Sequence, residues 1–507
     1  SRGINTIEFD NSPDYVFIGK TLQLAVIVSP ENIANETVEW SIISGAEFAE
    51  ISQTGLLTPK KLEGVVEVCA KIAKYDISVT KLISVYAIIT DINMDDDASN
   101  DKLGIAEEHV YGTHFAIYTP DGPNKVESFT NTFQLGFSLM HNAQIMPQLE
   151  YRSSNETIAT VSSTGMVTIL KPGKVTISIY PKKQIGNDPS KYIYDSYTFN
   201  FISGLNVYDT QDFIPSLKKY DSDTATTDEN TSFRKTVILQ SDIDCGNFGR
   251  IKMDEGKTLY GNGFLINFKN GESKYSSYLG ITSNTLIRNT HFRSYNFKPG
   301  ESIMVLDGKG SQIEVNENSS NITIEYSLFE SGQRNILVIN SQIDLKGCIF
   351  TNSYNAGVYL GSNNSNYNPN IVNVDSCIFD NNMLGAISNA TIIEEESKKT
   401  SFITFNRFVD FYNWQSLSLI NEVDLSSISN STVSTIIQEL INNKLTNILK
   451  NYGYLFKTYN GEKYLHIGVI ALEGELTFEG KGFKLYNNLH VTFNTTNNPY
   501  ALQVIRE

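Results

Sequence analysis

One repeat constrains this chain more than any other feature. Four segments carry an apolar residue or Thr, an apolar residue two positions on, a small residue three further, and a Phe two beyond that. They are Thr285-x-Ile287-x-x-Thr290-x-Phe292, Ile322-x-Ile324-x-x-Ser327-x-Phe329, Ile343-x-Leu345-x-x-Cys348-x-Phe350 and Val372-x-Val374-x-x-Cys377-x-Phe379. The Phe residues lie 37, 21 and 29 residues apart, which predicts a coil of about 21 residues with insertions. Alternation with period two is the signature of a strand. A single coil cannot bury its own inner face, so the coils must stack on one shared core, with strands about 4.8 Å apart.

The outward positions sharpen this expectation. The residue after the second apolar position is Arg288, Glu325, Lys346 and Asp375 in turn, so its sign alternates. In-register coils would set opposite charges side by side, each pair worth a few tenths of a kcal/mol. A long loop or an unrecognised coil between Phe292 and Phe329 would break the first contact. Ser294, Ser331, Asn352 and Asn381 each follow two residues after a Phe and predict a polar stack at a turn. Cys348 and Cys377 fall at equivalent positions and are expected to stack in the core as reduced thiols.

The first two-fifths of the chain reads differently. Short alternating runs such as Thr21–Val28, Val38–Ile42 and Val65–Ala70 are broken by turns. Ile51-Ser52-Gln53-Thr54-Gly55-Leu56-Leu57-Thr58 reads as a hairpin with Gly at its tight position, and Val161-Ser162-Ser163-Thr164-Gly165-Met166-Val167-Thr168 repeats it. The repeated unit resembles the bacterial immunoglobulin-like domain of the BIG2 type. The resemblance rests on Gly19–Leu24, the Ser29-Pro30-Glu31-Asn32 turn, Trp40-Ser41, and Ser154–Val161 through Gly173. It covers residues 1–89 well and 90–203 less well, because the latter carries an insertion and lacks the Gly-Lys-Thr-Leu strand. Such domains imply an extracellular or surface-exposed spacer or adhesive module, and they also occur on phage particles.

From residue 204 the texture changes. Phe213, Ile214 and Leu217 form a short amphipathic segment, followed by the strand-like runs Thr236–Asp244 and Thr258–Ile266. A cap followed by such strands looks like the entry to a right-handed parallel β-helix of the pectate-lyase-like kind. Val433, Ile436, Ile437, Leu440, Ile441, Leu445, Ile448 and Leu449 follow helical spacing and predict one helix near 430–450. The expected fold is therefore all-β: two Ig-like β-sandwich domains (1–89 and 90–203), then a right-handed parallel β-helix (204–507) with one inserted or capping α-helix.

Composition excludes some partners. Lys+Arg is 40 against Asp+Glu 56, a net charge of −16, which argues against nucleic acid and against docking on anionic lipid. No apolar run is long enough to insert into a membrane. Four scattered cysteines make neither a disulfide framework nor a zinc site. The chain begins at Ser1 rather than Met, so a processed or cut N-terminus is expected.

A β-helix must be tested for carbohydrate chemistry, which needs paired carboxylates or clustered Asp with a basic residue. The pectin-hydrolase motif set is missing except Arg250-Ile251-Lys252, which stands at the first coil and reads as chance. The catalytic candidates for a lyase-type site are Arg334, Asp344 and Asp380, with Asp375 and Lys346 already explained by the charge column. Asp95, Asp96, Asp97 and Asp101 are the calcium candidates, but their spacing departs from an EF-hand loop and no Glu closes it. A solvated acidic loop explains them as well. No other cofactor is implied.

The expected function is a secreted or surface-displayed binding protein in which Ig-like spacers present a β-helix to a polysaccharide or a surface protein, without catalysis. The alternatives are a polysaccharide lyase or glycoside hydrolase, and a structural protein of a virion or surface layer that packs against copies of itself.

Overall fold

A computed structural model describes residues 6–29, 36–94, 108–118, 127–186, 189–218, 229–246, 248–269, 277–295, 311–332, 334–351, 353, 357–361, 369–375, 377–380 and 387–388. It also describes strands at 401–405, 410–412, 454–459, 462–467, 474–476 and 489–493. The helix expected near 430–450 and the acidic cluster at 95–101 lie outside the described residues. The chain divides into two compact units, Ser1–Ala98 with Asn131–Phe199, and Ser99–Thr130 with Asn200–Glu507.

The first unit contains two Ig-like sandwiches. In the first sandwich a four-stranded sheet, with strands Tyr15–Phe17, Ile77–Tyr86, Gly64–Ile72 and Glu39–Ser44 in that order, faces a three-stranded one. Val66, Val68, Ala70, Ile72, Ile83 and Val85 alternate inward on the two long strands and pack with Trp40 and Leu57. The run expected as one strand over Thr21–Val28 is divided. Leu22–Gln23 pairs with Leu56–Pro59, whereas Val26–Ser29 pairs with Thr6–Phe9. The chain changes partner at the Leu24 N–H, which donates to Gly55 O (2.9 Å), so one alternating pattern serves two ladders.

Both repeated hairpins close in the same way. Ser52 Oγ accepts the N–H groups of Thr54 and Leu56, and Ser162 Oγ those of Thr164 and Met166. Gly55 (φ +78°) and Gly165 (φ +80°) supply the left-handed residue that a Cβ would penalise. Two side chains then pin the sandwiches together. Asn142 donates from Nδ2 to Ile18 O and accepts the Ile88 N–H on Oδ1, both at 2.8 Å. Glu63 accepts the Ala87 N–H and the Gln148 N–H on its two oxygens, both at 2.6 Å.

In the second unit the chain winds through three parallel sheets in turn, as a parallel β-helix. Strands Thr236–Leu239, Ile243–Asp244 and Arg250–Lys252 begin the first, second and third sheets, and each later coil adds one strand to each. The inward column of the first sheet is Val237, Leu259, Ile287, Ile324, Leu345 and Val374. That of the second is Ile243, Ile266, Phe292, Phe329, Phe350 and Phe379. That of the third is Ile251, Leu279, Ile313, Ile336, Val358 and Ile387. All belong to one buried core.

The four Phe rings stack at successive centroid distances of 4.9, 4.9 and 4.8 Å and are fully buried. Phe292 pairs directly with Phe329, so no coil intervenes. The extra residues of that turn fall between Tyr295 and Ser311, and those of the 29-residue turn between Gly361 and Asn370, both connections from one strand to the next. Arg250-Ile251-Lys252 is the first strand of the third sheet, with Ile251 buried between two exposed cations. Of the predicted polar stack, Ser294 is buried and Ser331 is left-handed (φ 55°), while Asn352 and Asn381 lie outside the described residues.

The start of the helix is closed from two sides. A short helix, Thr210–Ser216, is capped by Asp209, whose side chain accepts the Asp212 N–H, and it buries Phe213 against the core. Strand Tyr111–Tyr118 lies parallel to residues 201–206 and adds one rung to the first sheet. An amide cluster holds it there. Asn206 accepts the Gly112 N–H (2.7 Å) and donates to the carbonyls of Gly112 (2.8 Å) and His114 (3.0 Å). Gln240 and Asn262 both donate to Val110 O.

Candidate functional site

The outer face of the first sheet carries two columns of polar groups at rung spacing. Pairings Arg288 to Glu325, Glu325 to Lys346 and Lys346 to Asp375 place the alternating charges side by side, as the sequence predicts. Arg288 Nη1 bonds Glu325, and Lys346 Nζ stands 3.8 Å from the other Glu325 oxygen. The second column is Leu286, Thr323, Asp344 and Asn373. Asn373 Nδ2 donates to Asp344 Oδ1 at 2.6 Å. Most of these side chains are half-exposed.

A residue that the sequence pattern does not mark borders this face. Tyr326 adopts a left-handed backbone (φ 50°), at a cost of roughly 1–2 kcal/mol for a residue with a Cβ. Asn289 (φ 47°) and Gly347 (φ 60°) occupy the same corner on neighbouring coils, so the bend is a property of the coil. The Tyr326 ring lies over Gly347, where a Cβ would stand 2.7 Å from the ring. Arg288 and Lys346 flank the ring at 5.0 and 5.4 Å, cation–aromatic contacts of about 0.5–2 kcal/mol each that offset the strain. The available signal was positional, since the residue after each outward charge is Asn289, Tyr326 or Gly347.

Reversing one charge in this ladder has a defined expectation. Lys346→Glu would put carboxylates at three successive rungs and should lower stability by about 2 kcal/mol, roughly 1 for each new like-charge contact. Urea titration measures this, and Glu325→Lys in the same chain should recover part of it. An unchanged midpoint for the single variant would show that the ladder contributes nothing.

The third sheet carries a different group. The Arg250 side chain crosses Gly280, where a Cβ would meet its Nε at 2.7 Å. It reaches Glu314 at 3.5 Å and also donates to Asn316. Burial pushes the Glu314 carboxyl above its usual range, against the pull of Arg250 and Arg334. Arg334 is itself buried, with its guanidinium 5.2 Å from the Tyr359 ring. Leu337, Tyr359 and Ile339 make a small apolar cluster separate from the main core. On the second sheet His291 Nε2 stands 3.1 Å from Glu330. Burial lowers its pKa, with Glu330 opposing and Arg293 adding to the shift.

The three catalytic candidates are not brought together. Arg334 is on a strand of the third sheet, Asp344 on the first and Asp380 on the second. Sheets of one coil present their outer faces in different directions, so these residues do not flank one bond. Among the described residues no group of three His, Cys, Asp or Glu side chains is placed to hold a metal ion. Cys348 and Cys377 are buried free thiols on adjacent rungs, and burial pushes Cys377 well above the ordinary thiol range.

Comparison with known proteins bears on the first unit. Residues 5–70 and 138–189 match the bacterial Ig-like domain (group 2) family. Among curated proteins none matches. The chain is similar over 40% of its length to 66% of a C-terminal intimin fragment solved in complex with the intimin-binding domain of the translocated intimin receptor, at 16% identity and a TM-score of 0.19. It is similar over 39% of its length to 49% of Drosophila N-cadherin EC1-4, at 11% identity and a TM-score of 0.15. It is similar over 40% of its length to 28% of the S-layer protein rSbsC, at 14% identity and a TM-score of 0.14. The chain thus spans about two-thirds or less of these chains. At such TM-scores the likenesses carry no functional argument.

Proposed function

We propose that this chain is an extracellular or surface-displayed binding protein whose Ig-like sandwiches are spacers and whose β-helix presents a flat polar face to a polysaccharide or a surface protein. In this reading residues 1–89 and 90–203 are the spacer modules and 204–507 the binding module. The observation that carries it is the outer face of the first sheet, where Thr323, Asp344 and Asn373 repeat at rung spacing beside a charge ladder. Hydroxyl, carboxylate and amide groups in a regular row suit a ligand that itself repeats and offers hydroxyls or amides. The pinning of the two sandwiches by Glu63 and Asn142 supports a stiff spacer.

The test uses the whole chain on an array of neutral and acidic polysaccharides, with a pull-down from surface-protein extracts beside it. Retention on at least one ligand is expected. Asp344→Ala with Asn373→Ala should weaken it at least tenfold, with the circular dichroism spectrum unchanged. Blank arrays and blank pull-downs, or retention indifferent to the double variant, would remove this face from consideration.

A further inference from the structure

A second surface lies on the other unit and is independent of the reading above. Strand Leu149–Ser153 of the second sandwich pairs on one side only, with Gly173–Pro181. The ladder bonds of Gln148 O with the Lys182 N–H and of the Ser154 N–H with Thr176 O flank that pairing. By antiparallel alternation, residues 150 and 152 bond across the ladder and the main chain of Leu149 and Tyr151 points the other way. Among the described residues neither finds a main-chain partner there. A free strand edge of this kind is a template for another strand.

The free edge opens on a groove of about 600 Å³, lined by Met146, Leu149, Tyr151 and Val161 with Ser162 and Lys182 among the polar residues. The two sheets are held together at one end, where Ser153 Oγ donates to Ala159 O at 2.6 Å. They part toward Met146, which is 62% exposed beside Ile145 at 59%. In the first sandwich Trp40 packs on the hairpin Gly55 in the way Tyr151 packs on Gly165. Trp40 is the larger ring and is buried, while Tyr151 is half-buried. The groove carries one uncompensated charge. Glu150 is paired with Arg152, whereas Lys182 is exposed and bonds only the neutral Gln148 amide.

We propose that this edge takes up an extended peptide segment of a partner protein, which adds as an antiparallel strand beside Leu149–Ser153. Its alternate apolar side chains enter the groove, and an acidic residue near its C-terminal end meets Lys182. Main-chain bonds supply affinity and the alternate pockets supply selectivity in this mode of recognition.

The probe is the fluorescein-labelled peptide Ser-Val-Thr-Val-Thr-Val-Glu, titrated against the whole chain by fluorescence anisotropy. Saturable binding is expected. Tyr151→Trp, which installs the larger ring of the first sandwich, should weaken it at least tenfold at an unchanged melting temperature. Lys182→Glu should weaken it about fivefold and favour the same peptide ending in Lys. A probe N-methylated on alternate amides should not bind. No binding of the parent probe, or equal binding by Tyr151→Trp or by the methylated probe, overturns the proposal. So does sedimentation showing a dimer that Tyr151→Trp dissolves, since the occupant is then a second copy of the chain.

Discussion

Replacing Phe329 by Ala is expected to cost about 3–5 kcal/mol of stability, the range for a buried aromatic truncated in a packed core. Phe329 stands in the middle of the stack, with Phe292 and Phe350 each 4.9 Å from it and no solvent exposure. Rung spacing holds the rings nearly parallel, at 13° and 8°. Neighbouring rings therefore cannot tilt far into the space a truncation leaves. The loss has two parts, the transfer term of the ring and the cavity between two rigid rungs. Phe329→Leu should cost much less, about 1–1.5 kcal/mol, because it keeps most of the volume. Urea titration followed by circular dichroism measures both. A cost below about 1 kcal/mol for the Ala variant would mean that the coils close over the gap and that the stack does not organise the core.

The second large effect is expected at Asn206, which is 1% exposed. Asn206→Leu would keep the volume and remove three bonds at once, leaving the Gly112 N–H and the carbonyls of Gly112 and His114 without their partner. An unsatisfied buried group costs about 1–3 kcal/mol, so the added rung should lose roughly 3 kcal/mol or more. Gln240 also donates to Asn206 and would lose that acceptor. The damage should be local. Residues 108–118 should exchange their amide hydrogens at least a hundredfold faster, while strands of the middle coils exchange as before. Asn206→Asp should fall between the two, since it keeps the acceptor for Gly112 and loses the donors. Uniform loss of protection across the β-helix would show that this strand is integral to the fold.

The stacked coils were legible because a period-two apolar pattern repeated along the chain leaves a strand only one inner face to bury. The alternating column from Arg288 to Asp375 was legible for the same reason, since register between in-phase coils follows from the repeat. The two coils before Thr285 were harder to see. Ile243 and Ile266 stand where later coils have Phe, so the pattern that marks a rung is absent although the inward position is kept. Thr258–Ile266 reads as one run but turns a corner, with Asn262 and Gly263 at positive φ dividing it between two sheets.

The candidate sites were less legible than the fold. Arg334, Asp344 and Asp380 are separated by about ten and thirty-six residues in sequence, and the three-sheet winding sends them to three faces. Glu314 and Tyr326 were missed because what makes them notable is a neighbour on another coil: the Arg250 side chain for one, Gly347 and two cations for the other. The groove beside Leu149–Ser153 arises from a difference in ring size between Trp40 and Tyr151, which acquires meaning once both are seen against equivalent glycines.

By itself the sequence determined that this chain is all-β, that its beginning repeats an Ig-like unit, and that Phe292, Phe329, Phe350 and Phe379 turn inward on stacked rungs. Each of these follows from local alternation and its period. Only the tertiary structure decided that the extra residues leave the rungs intact, that a strand from 111–118 closes the first sheet, and that the catalytic candidates are kept apart. Those outcomes rest on hydrogen bonds and register between residues about ninety or more positions apart, or on the way a coil divides among three sheets. No local pattern records either.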